Sequence, residues 1–299
     1  MKKICAVVAV FGWFCGMHNV AAFESLLERG MYVSYAAGCA TCHTRGDFLA
    51  GGRSIHTPAG TFYTPNITPD PQHGIGSWTE ENFARALREG IGSTGEHLYP
   101  ACPYPSFSKM TEQDRSGLWV YLLSQRAVPQ EDREHALPWF LSSRELLSTW
   151  KRGWFEPGRY VRDPTKSKQW NRGAYLVDVL GHCGECHTPR STLGRSQKDY
   201  YLAGAHRGPE RLAIPNITPD RQTGIGRWSE DELKRFLYSG ERPDGSFAPG
   251  LMQEVLHTSV THLTEDDRQA IVVYLRSVPP IRHDIGIVAD PFEAHDHFP

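Results

Sequence analysis

Several features that define large classes of proteins are missing from this sequence. The 299 residues carry 32 Lys and Arg against 34 Asp and Glu, so no basic surplus exists to hold a nucleic-acid backbone. The sequence contains no glycine-rich nucleotide loop and no recognisable Ser, His and Asp arrangement for hydrolysis. The 8 Trp, 12 Tyr and 13 Phe exclude a disordered or fibrous chain. We therefore expect a globular protein that does not bind nucleic acid.

Long hydrophobic runs are also missing, and the one short run lies at the N-terminus. Lys2 and Lys3 precede an apolar stretch at residues 4–14, which is well short of the roughly 20 residues that span a membrane. Small residues at positions 20–22 provide a cleavage site. We expect residues 1–22 to be a secretory signal peptide and the mature protein to be exported to a bacterial periplasm. Any membrane association is then peripheral, through a partner or a surface helix.

Cysteine is scarce, and its distribution is informative. Of seven cysteines, two lie in the signal peptide, and four of the other five form Cys39-Ala-Thr-Cys42-His43 and Cys183-Gly-Glu-Cys186-His187. Two thiols three residues apart can form thioethers with one porphyrin edge, and the adjacent histidine can then ligate the iron. The pattern predicts two covalently bound haem c groups, with His43 and His187 as the proximal iron ligands.

Other uses of a Cys-x-x-Cys pair are weaker predictions for this chain. A disulfide within each pair is allowed outside the cytosol. A zinc site typically has its two cysteine pairs roughly 15–20 residues apart, whereas about 140 residues separate these pairs. A thioredoxin motif needs a βαβ context, which this sequence lacks. Haem attachment is therefore the favoured interpretation.

The chain contains an internal repeat of one module. Pro-Asn-Ile-Thr-Pro-Asp occurs at residues 65–70 and 215–220, and each copy is followed by Gly-Ile-Gly-x-Trp and a capped helix start. Each copy also opens with Arg-Gly-x-Tyr and closes with a capped amphipathic helix. The repeat predicts two domains, residues 23–127 and residues 169–299, the second including a C-terminal tail without clear periodicity. Within each domain, we expect the glycine of Arg-Gly-x-Tyr to allow close crossing with the last helix, against Tyr121 or Tyr274.

The segment between the copies, residues 128–168, contains several prolines and aromatic residues. This composition is too aromatic for a flexible tether. We predict an ordered interdomain linker that packs against both domains.

These motifs carry a family resemblance. Arg-Gly-Ala-Tyr-Leu-Val at residues 172–177, His-Cys-Gly-Glu-Cys-His-Thr-Pro-Arg at residues 182–190 and the two Pro-Asn-Ile-Thr-Pro-Asp segments resemble the cytochrome c subunits of bacterial membrane-bound dehydrogenases. The resemblance covers most of the mature chain, although many members carry three haem motifs and this chain has two. It implies an all-α fold of two tandem class I-like cytochrome c domains.

The resemblance also implies a role in electron transfer in the periplasm. The donor is then the catalytic subunit of a flavin, pyrroloquinoline-quinone or molybdenum dehydrogenase, and the acceptor is a downstream cytochrome, an oxidase or a quinone. It further implies that Asn66, Asn216, Trp78 and Trp228 contact the haem propionates. The alternative roles for these four residues are loop-stabilising Asx turns and ordinary aromatic core.

A six-coordinate haem needs a second axial ligand, which is Met, His or Cys. In the second module, Met252 is the only methionine in the segment before the last helix, and it matches the family's ligand position. His257 and His262 are the alternatives. Met252 is therefore the predicted ligand of the second haem.

The first module departs from the family, which usually has methionine where this chain has Cys102. Cys102 is also the only cysteine of the mature chain outside the two pairs. We expect Cys102 to ligate the first iron, and a thiolate there lowers the reduction potential. The alternatives are Met110, His97, and an iron without a sixth ligand beside a small buried Cys102.

The sequence leaves two classes of function open. The favoured one is an electron-carrying subunit, because no separate catalytic arrangement is visible. The other is a dihaem enzyme with a His/Cys-ligated haem that oxidises a sulfur compound such as thiosulfate. A dihaem peroxidase is less favoured, since peroxide needs an open iron and both modules offer a distal ligand.

Overall fold

The structure is a computed structural model that describes residues 14–192 and 194–286. The first thirteen residues of the predicted signal peptide, and residues 287–299 of the predicted tail, lie outside the described part. The described chain is mainly α-helical, as predicted. Throughout this part, every helix is too short or too polar to traverse a lipid bilayer.

The two copies of the repeat have the same order of helices. In the first copy the helices are α1 (Phe14–Ala36), α2 (Cys39–His43), α3 (Glu80–Glu89), α4 (Tyr104–Phe107) and α5 (Glu112–Leu123). The linker contributes α6 (Arg144–Trp154). In the second copy they are α7 (Lys168–Tyr175), α8 (Gly184–His187), α9 (Glu230–Ser239), α10 (Gly250–Thr258) and α11 (Glu265–Leu275), with short 3₁₀ turns at Lys198–Tyr200, Pro209–Arg211 and Val260–His262.

Capping residues set the bounds of the helices after each Gly-Ile-Gly-x-Trp motif. Thr79 caps α3 and Ser229 caps α9, each through its side-chain oxygen. Gly90 and Gly240 end these helices in the left-handed conformation, with φ of 61° and 78°. The predicted capped starts are confirmed, and both are capping boxes: Glu232 closes the box of α9, and in α3 Asn82 takes the place of the usual Glu or Gln.

The predicted close crossing of the first and last helices is confirmed in both copies. A Cβ placed on Gly30 would lie 1.9 Å from the carbonyl oxygen of Gly117 and 2.7 Å from Cβ of Tyr121. In the second copy, a Cβ on Gly173 would lie 2.8 Å from Cβ of Tyr274. Only glycine permits this approach. The glycine of Arg-Gly-x-Tyr therefore allows the first and last helices of each copy to pack closely, α1 with α5 and α7 with α11.

The first copy departs from the all-α prediction by one hairpin. Strands β1 (Ser54–Thr57) and β2 (Gly60–Tyr63) pair antiparallel. Its strands are rich in β-branched and aromatic residues, and the Thr57 hydroxyl donates to the Gly60 carbonyl (2.9 Å) across the turn. Ala136 of the linker pairs with Thr61, which ties the linker to the first copy.

The second copy has one more residue than the first between Arg-Gly-x-Tyr and the first haem-motif cysteine. Cys39 follows Arg29 by ten positions, and Cys183 follows Arg172 by eleven. The additional residue is accommodated as a π-helical turn, Leu176–Leu180, which continues α7. Such π-turns are rare and occur frequently at functional sites.

The linker makes specific contacts with both copies. The Lys151 ammonium is buried and donates to the Gly90 carbonyl (2.9 Å) at the C-terminus of α3, where a positive charge is favourable. Further along, the Tyr160 backbone amide donates to the Lys109 carbonyl (3.1 Å), and its hydroxyl donates to the Asn171 carbonyl (2.6 Å). The linker therefore has a defined path over both copies.

The two copies contact each other through reciprocal hydrogen bonds. The Tyr32 hydroxyl donates to Asp267 (2.5 Å), and the Tyr175 hydroxyl donates to Asp114 (2.5 Å). Both tyrosines belong to Arg-Gly-x-Tyr, and both aspartates lie in the first turn of a last helix. The same pair of motifs therefore forms the interface twice, in opposite directions.

Candidate haem-binding sites

Each haem motif forms one short helical turn. In the first copy, Cys39, Cys42 and His43 all belong to α2, and in the second copy α8 ends at His187. The thiols of five cysteines are free of disulfides, namely Cys39, Cys42, Cys102, Cys183 and Cys186. Over residues 14–192 and 194–286, no group of three or more His, Cys, Asp and Glu side chains is arranged to hold a metal ion. The turns thus offer paired thiols with a neighbouring imidazole.

The repeated Pro-Asn-Ile-Thr-Pro-Asp segment orients each histidine. Nδ1 of His43 lies 2.8 Å from the Pro65 carbonyl oxygen, and Nδ1 of His187 lies 2.8 Å from that of Pro215. Because a carbonyl only accepts, Nδ1 carries the hydrogen and Nε2 keeps its lone pair. Burial lowers the pKa of both histidines, although the carbonyl contacts oppose the change. Each ring is a neutral imidazole with Nε2 available, which fits an axial haem ligand.

The attachment cysteines lie in a poorly solvated environment. Burial raises the pKa of Cys39 to about 11 and the pKa values of Cys183 and Cys186 to about 12. An uncharged sulfur is therefore favoured at these positions. A thioether is uncharged, so covalent haem attachment suits these surroundings.

The structure places the two predicted distal residues at equivalent positions. The Leu98 amide donates to the carbonyl of Gly90, which ends α3 (2.8 Å). In the same way, the Ala248 amide donates to the carbonyl of Gly240, which ends α9 (2.8 Å). Cys102 follows Leu98 by four residues, and Met252 follows Ala248 by four. Burial raises the pKa of the Cys102 thiol to about 12, and electrostatic contributions from Cys42, Cys39 and Glu185 act in the same direction.

The distal segment of each copy lies on the haem motif of the other copy. On one side, the Thr41 and Thr258 hydroxyl oxygens are 2.5 Å apart. On the other side, the Ser106 hydroxyl donates to Glu185 (2.9 Å), within the second haem motif. A Cβ placed on Gly181, two residues before Cys183, would lie 3.9 Å from the carbonyl oxygen of Ala36, three residues before Cys39. The two attachment sites therefore face each other across the interface.

An ion pair reinforces one side of this arrangement. Arg53 donates to both carboxylate oxygens of Glu254, at 2.8 Å for the Nη2–Oε2 contact, and also to the Thr41 carbonyl (2.7 Å) in α2. Glu254 lies two residues after Met252. The pair thus connects the distal segment of the second copy to the haem motif of the first.

No family model matches the chain. The chain is 44% identical over 264 residues to the fructose dehydrogenase cytochrome subunit of Gluconobacter japonicus. The matched region covers 87% of this chain and 54% of the relative. It is 39% identical over 289 residues to the gluconate 2-dehydrogenase cytochrome c subunit of Pantoea cypripedii, 93% of this chain and 65% of the relative. A diheme cytochrome c-type protein of Cereibacter sphaeroides is 39% identical over 261 residues, 85% of this chain and 86% of the relative.

The chain belongs to this family of cytochrome c subunits. The family resemblance inferred from the sequence is confirmed, and membership implies covalently bound haem c and a role in electron transfer. The chain spans about half to two thirds of the length of the fructose and gluconate dehydrogenase relatives. These relatives give no support to the thiosulfate-oxidising alternative.

The residues that were predicted as alternative distal ligands lie in the core, in a turn and against an aromatic ring of this cytochrome. Met110 is buried directly before the N-cap of α5, as Leu263 is before the N-cap of α11, which is a core position in both copies. His97 lies in the turn after α3 beside Lys151 and Arg152, and burial together with these two charges lowers its pKa. Among the alternatives for the second haem, His262 stacks on a tyrosine ring of the first copy at 4.1 Å.

The asparagines predicted to contact propionates are already engaged in the cytochrome. Asn66 donates both amide hydrogens to the carbonyls of Val128 (2.8 Å) and Gln130 (3.0 Å), while its oxygen accepts from the Thr68 amide (2.9 Å). Asn216 forms the same turn, in which its side-chain oxygen accepts from the Thr218 amide (2.8 Å). Its side-chain nitrogen donates to the Ile281 carbonyl (2.7 Å), in the segment after α11. These contacts favour the alternative role, Asx turns that brace the loop, because neither amide keeps a free N–H for a propionate.

The two tryptophans lie in different surroundings. Trp228 is buried, with its ring 5.5 Å from that of Phe236, whereas Trp78 is partly buried against the core. Their predicted contact with propionates stays a prediction.

Sequence reasoning missed the residues that join the two sites. Arg53, Glu254, Ser106 and Glu185 each occur in one copy only, so the repeat gave no signal for them. The tyrosines and aspartates of the reciprocal interface do occur in both copies. Their recurrence at equivalent positions was a usable signal for the interface.

Proposed function

We propose that this cytochrome is a dihaem electron-transfer subunit with two tandem cytochrome c domains, residues 23–127 and 169–299, joined by the linker at residues 128–168. One observation carries the proposal. Twice in the chain, a Cys-x-x-Cys turn is followed by a histidine whose Nδ1 is held by a backbone carbonyl and whose Nε2 is available. The two such sites face each other, which suits transfer of an electron between them.

Each proposed site has two attachment cysteines, a proximal histidine and a distal sulfur ligand. When bound, haem supplies a one-electron iron couple. The residues of the first site are Cys39, Cys42, His43 and Cys102, and those of the second are Cys183, Cys186, His187 and Met252. The positional equivalence of Cys102 and Met252 supports this assignment, since both follow the capped helix at the same distance.

Because their proposed distal ligands differ, the two haem sites are expected to have different reduction potentials. With haem bound, a Cys102 thiolate would add negative charge at the iron and favour its ferric form, which a neutral Met252 thioether would not do. Axial ligand choice accounts for roughly 0.8 V across haem proteins. An electron that entered at the first site would therefore pass downhill in energy to the second.

The proposed donor is a dehydrogenase catalytic subunit of the flavin, pyrroloquinoline-quinone or molybdenum type. The relatives reported above support this, because they are named as subunits of fructose and gluconate dehydrogenases. The proposed acceptor is a downstream cytochrome, an oxidase or a quinone. The signal-like N-terminus supports a periplasmic location, with peripheral association to the cytoplasmic membrane through the partner.

Intact-mass analysis tests haem attachment. We expect the mature protein, expressed in cells competent for cytochrome c maturation, to exceed the polypeptide mass by two haem groups. The double variant Cys39→Ala/Cys42→Ala is expected to lose one group, while Cys102→Ser keeps both because it removes no attachment thiol. A native product at the bare polypeptide mass contradicts the proposal.

A gene replacement in the native host tests the electron-transfer role. Deletion of the gene is expected to abolish oxygen uptake driven by the substrate of the partner dehydrogenase in isolated membranes. The native gene should restore it, and the Cys39→Ala/Cys42→Ala variant should not. Unchanged uptake in the deletion strain with every dehydrogenase substrate that the host oxidises contradicts the role.

A further inference from the structure

The second copy presents a carboxyl group that the first copy lacks. Asp178 lies in the middle of the π-helical turn Leu176–Leu180. Counted from Arg-Gly-x-Tyr, the first copy has Tyr35 at this position, and counted back from the first haem-motif cysteine it has Ser34. Neither has an ionisable carboxyl group, so this feature is specific to the second site.

Two tyrosines hold the Asp178 carboxylate. The Tyr201 hydroxyl donates to Oδ1, and the Tyr274 hydroxyl donates to Oδ2 (2.8 Å). Tyr201 occupies the position of Phe48 in the first copy, one residue before the equivalent Leu202 and Leu49. The inserted residue and the tyrosine thus occur together in the second copy.

The cluster lies against the second haem motif. A Cβ placed on Gly184, between the two attachment cysteines, would lie 2.7 Å from a ring carbon of Tyr201. Cys183 is also near enough that the negative charge of Asp178 contributes to its raised pKa. Tyr201 therefore connects the Asp178 carboxylate to the backbone of the second haem motif.

The charge of Asp178 is poorly compensated. Among the described residues, no Lys or Arg forms an ion pair with it, and Lys109 acts on it only at longer range. The other titratable groups that face it are Tyr201, Tyr274, Tyr160 and Cys183, which are uncharged at neutral pH. Burial raises the pKa of Asp178, and the tyrosine hydrogen bonds and Lys109 oppose the rise.

We propose that Asp178 is a proton-binding site coupled to electron uptake at the second haem, an inference that rests on the proposed function. Reduction of the iron from ferric to ferrous, by one electron from the dehydrogenase, removes a positive charge near the carboxylate. Asp178 then binds one proton from water and forms a carboxyl O–H bond. Reoxidation returns the electron to the acceptor and the proton to solvent. The coupling is reciprocal, so the potential of the second haem depends on pH.

A redox titration monitored by EPR tests the proposal, because the different axial ligands separate the two haems. Between about pH 4 and pH 9, the potential of the second haem is expected to fall as pH rises in the native holoprotein. Asp178→Asn should remove this dependence and raise the potential at the alkaline end. Asp244→Asn, which removes an exposed carboxyl group of the same copy, should behave as native.

Two further measurements make the test decisive. The reduced-minus-oxidised infrared spectrum is expected to show a protonated carboxyl band in the native protein and none in Asp178→Asn. Tyr201→Phe removes one donor to the carboxylate and should move the pH-dependent range upward, because that donor favours the charged form. A native potential independent of pH, a dependence that survives in Asp178→Asn, or an unchanged range in Tyr201→Phe overturns the proposal. Haem mass and oxygen uptake report on the proposed function separately.

Discussion

The Tyr32 hydroxyl lies 2.5 Å from a carboxylate oxygen of Asp267, in the other copy of the repeat. Arg172 donates to the same carboxylate at 2.6 and 2.8 Å, and the Tyr32 oxygen accepts from the Thr264 amide at 3.2 Å. Burial opposes ionisation of Asp267, but the bonds from Arg172 and Tyr32 outweigh it and hold its pKa below the usual carboxyl value. One aspartate in the first turn of α11 therefore binds an arginine of its own copy and a tyrosine of the other copy.

Loss of either interface hydroxyl is expected to weaken the protein. Tyr32→Phe and Tyr175→Phe each remove a hydrogen bond to a charged group, which typically stabilises by about 1.5–3 kcal/mol. Urea unfolding of the holoprotein should show a loss of that size for each variant. Tyr238→Phe is the matched control, because Tyr238 is 62% exposed and its loss of a hydroxyl should change stability by less than about 0.5 kcal/mol. Equal stability of Tyr32→Phe and Tyr238→Phe would show that the interface bond contributes nothing.

Acid is expected to destabilise the same interface. A depressed pKa in the folded state means that the contribution of Asp267 is present above the unfolded value of about 3.9 and is lost as pH falls through the folded value. Denaturant unfolding from neutral pH to about pH 3 should show a decline that is smaller in Asp267→Asn, because that variant has no carboxyl group to protonate. An identical decline in both proteins is the contrary result.

The helix crossing in the first copy should not tolerate a methyl group. In Gly30→Ala the new Cβ would overlap the Gly117 carbonyl oxygen, so α1 and α5 must separate. We expect a loss of about 3 kcal/mol in unfolding free energy. Gly46→Ala is the control, since nothing lies within 4 Å of a Cβ there and its effect should be below about 0.5 kcal/mol. A Gly30→Ala protein as stable as Gly46→Ala would contradict the crossing.

The distal ligand of the first haem can be read from spectra. Cys102→Met is expected to raise the potential of the first haem and to replace the compact g-value pattern of thiolate-ligated iron in low-temperature EPR, because a neutral thioether takes the place of an anion. Met110→Leu should leave both measurements unchanged, since Met110 occupies a core position. An unchanged spectrum in Cys102→Met would remove Cys102 from the site.

Local patterns accounted for much of the fold and of the sites. The capping residues of α3 and α9, the glycine crossings and the family could be predicted because each depends on residues close together in sequence or on a repeated motif. The hairpin Ser54–Tyr63 was missed, since it occurs in the first copy only and its strands are four residues long. The hydrogen-bond partners of the two asparagines could not be predicted, because the path of residues 128–130 and of the segment after α11 decides them.

The amino-acid order by itself determined the pairs of thiols, the histidines beside them and the helices that carry them, because these depend on spacing along the backbone. Only the tertiary structure decided that the two sites face each other, that Arg53 meets Glu254 across 201 positions, and that Asp178 points to two tyrosines. Contacts between distant segments follow from how the surfaces of packed helices fit together. No short pattern encodes that fit, which is why it becomes visible only in the folded chain.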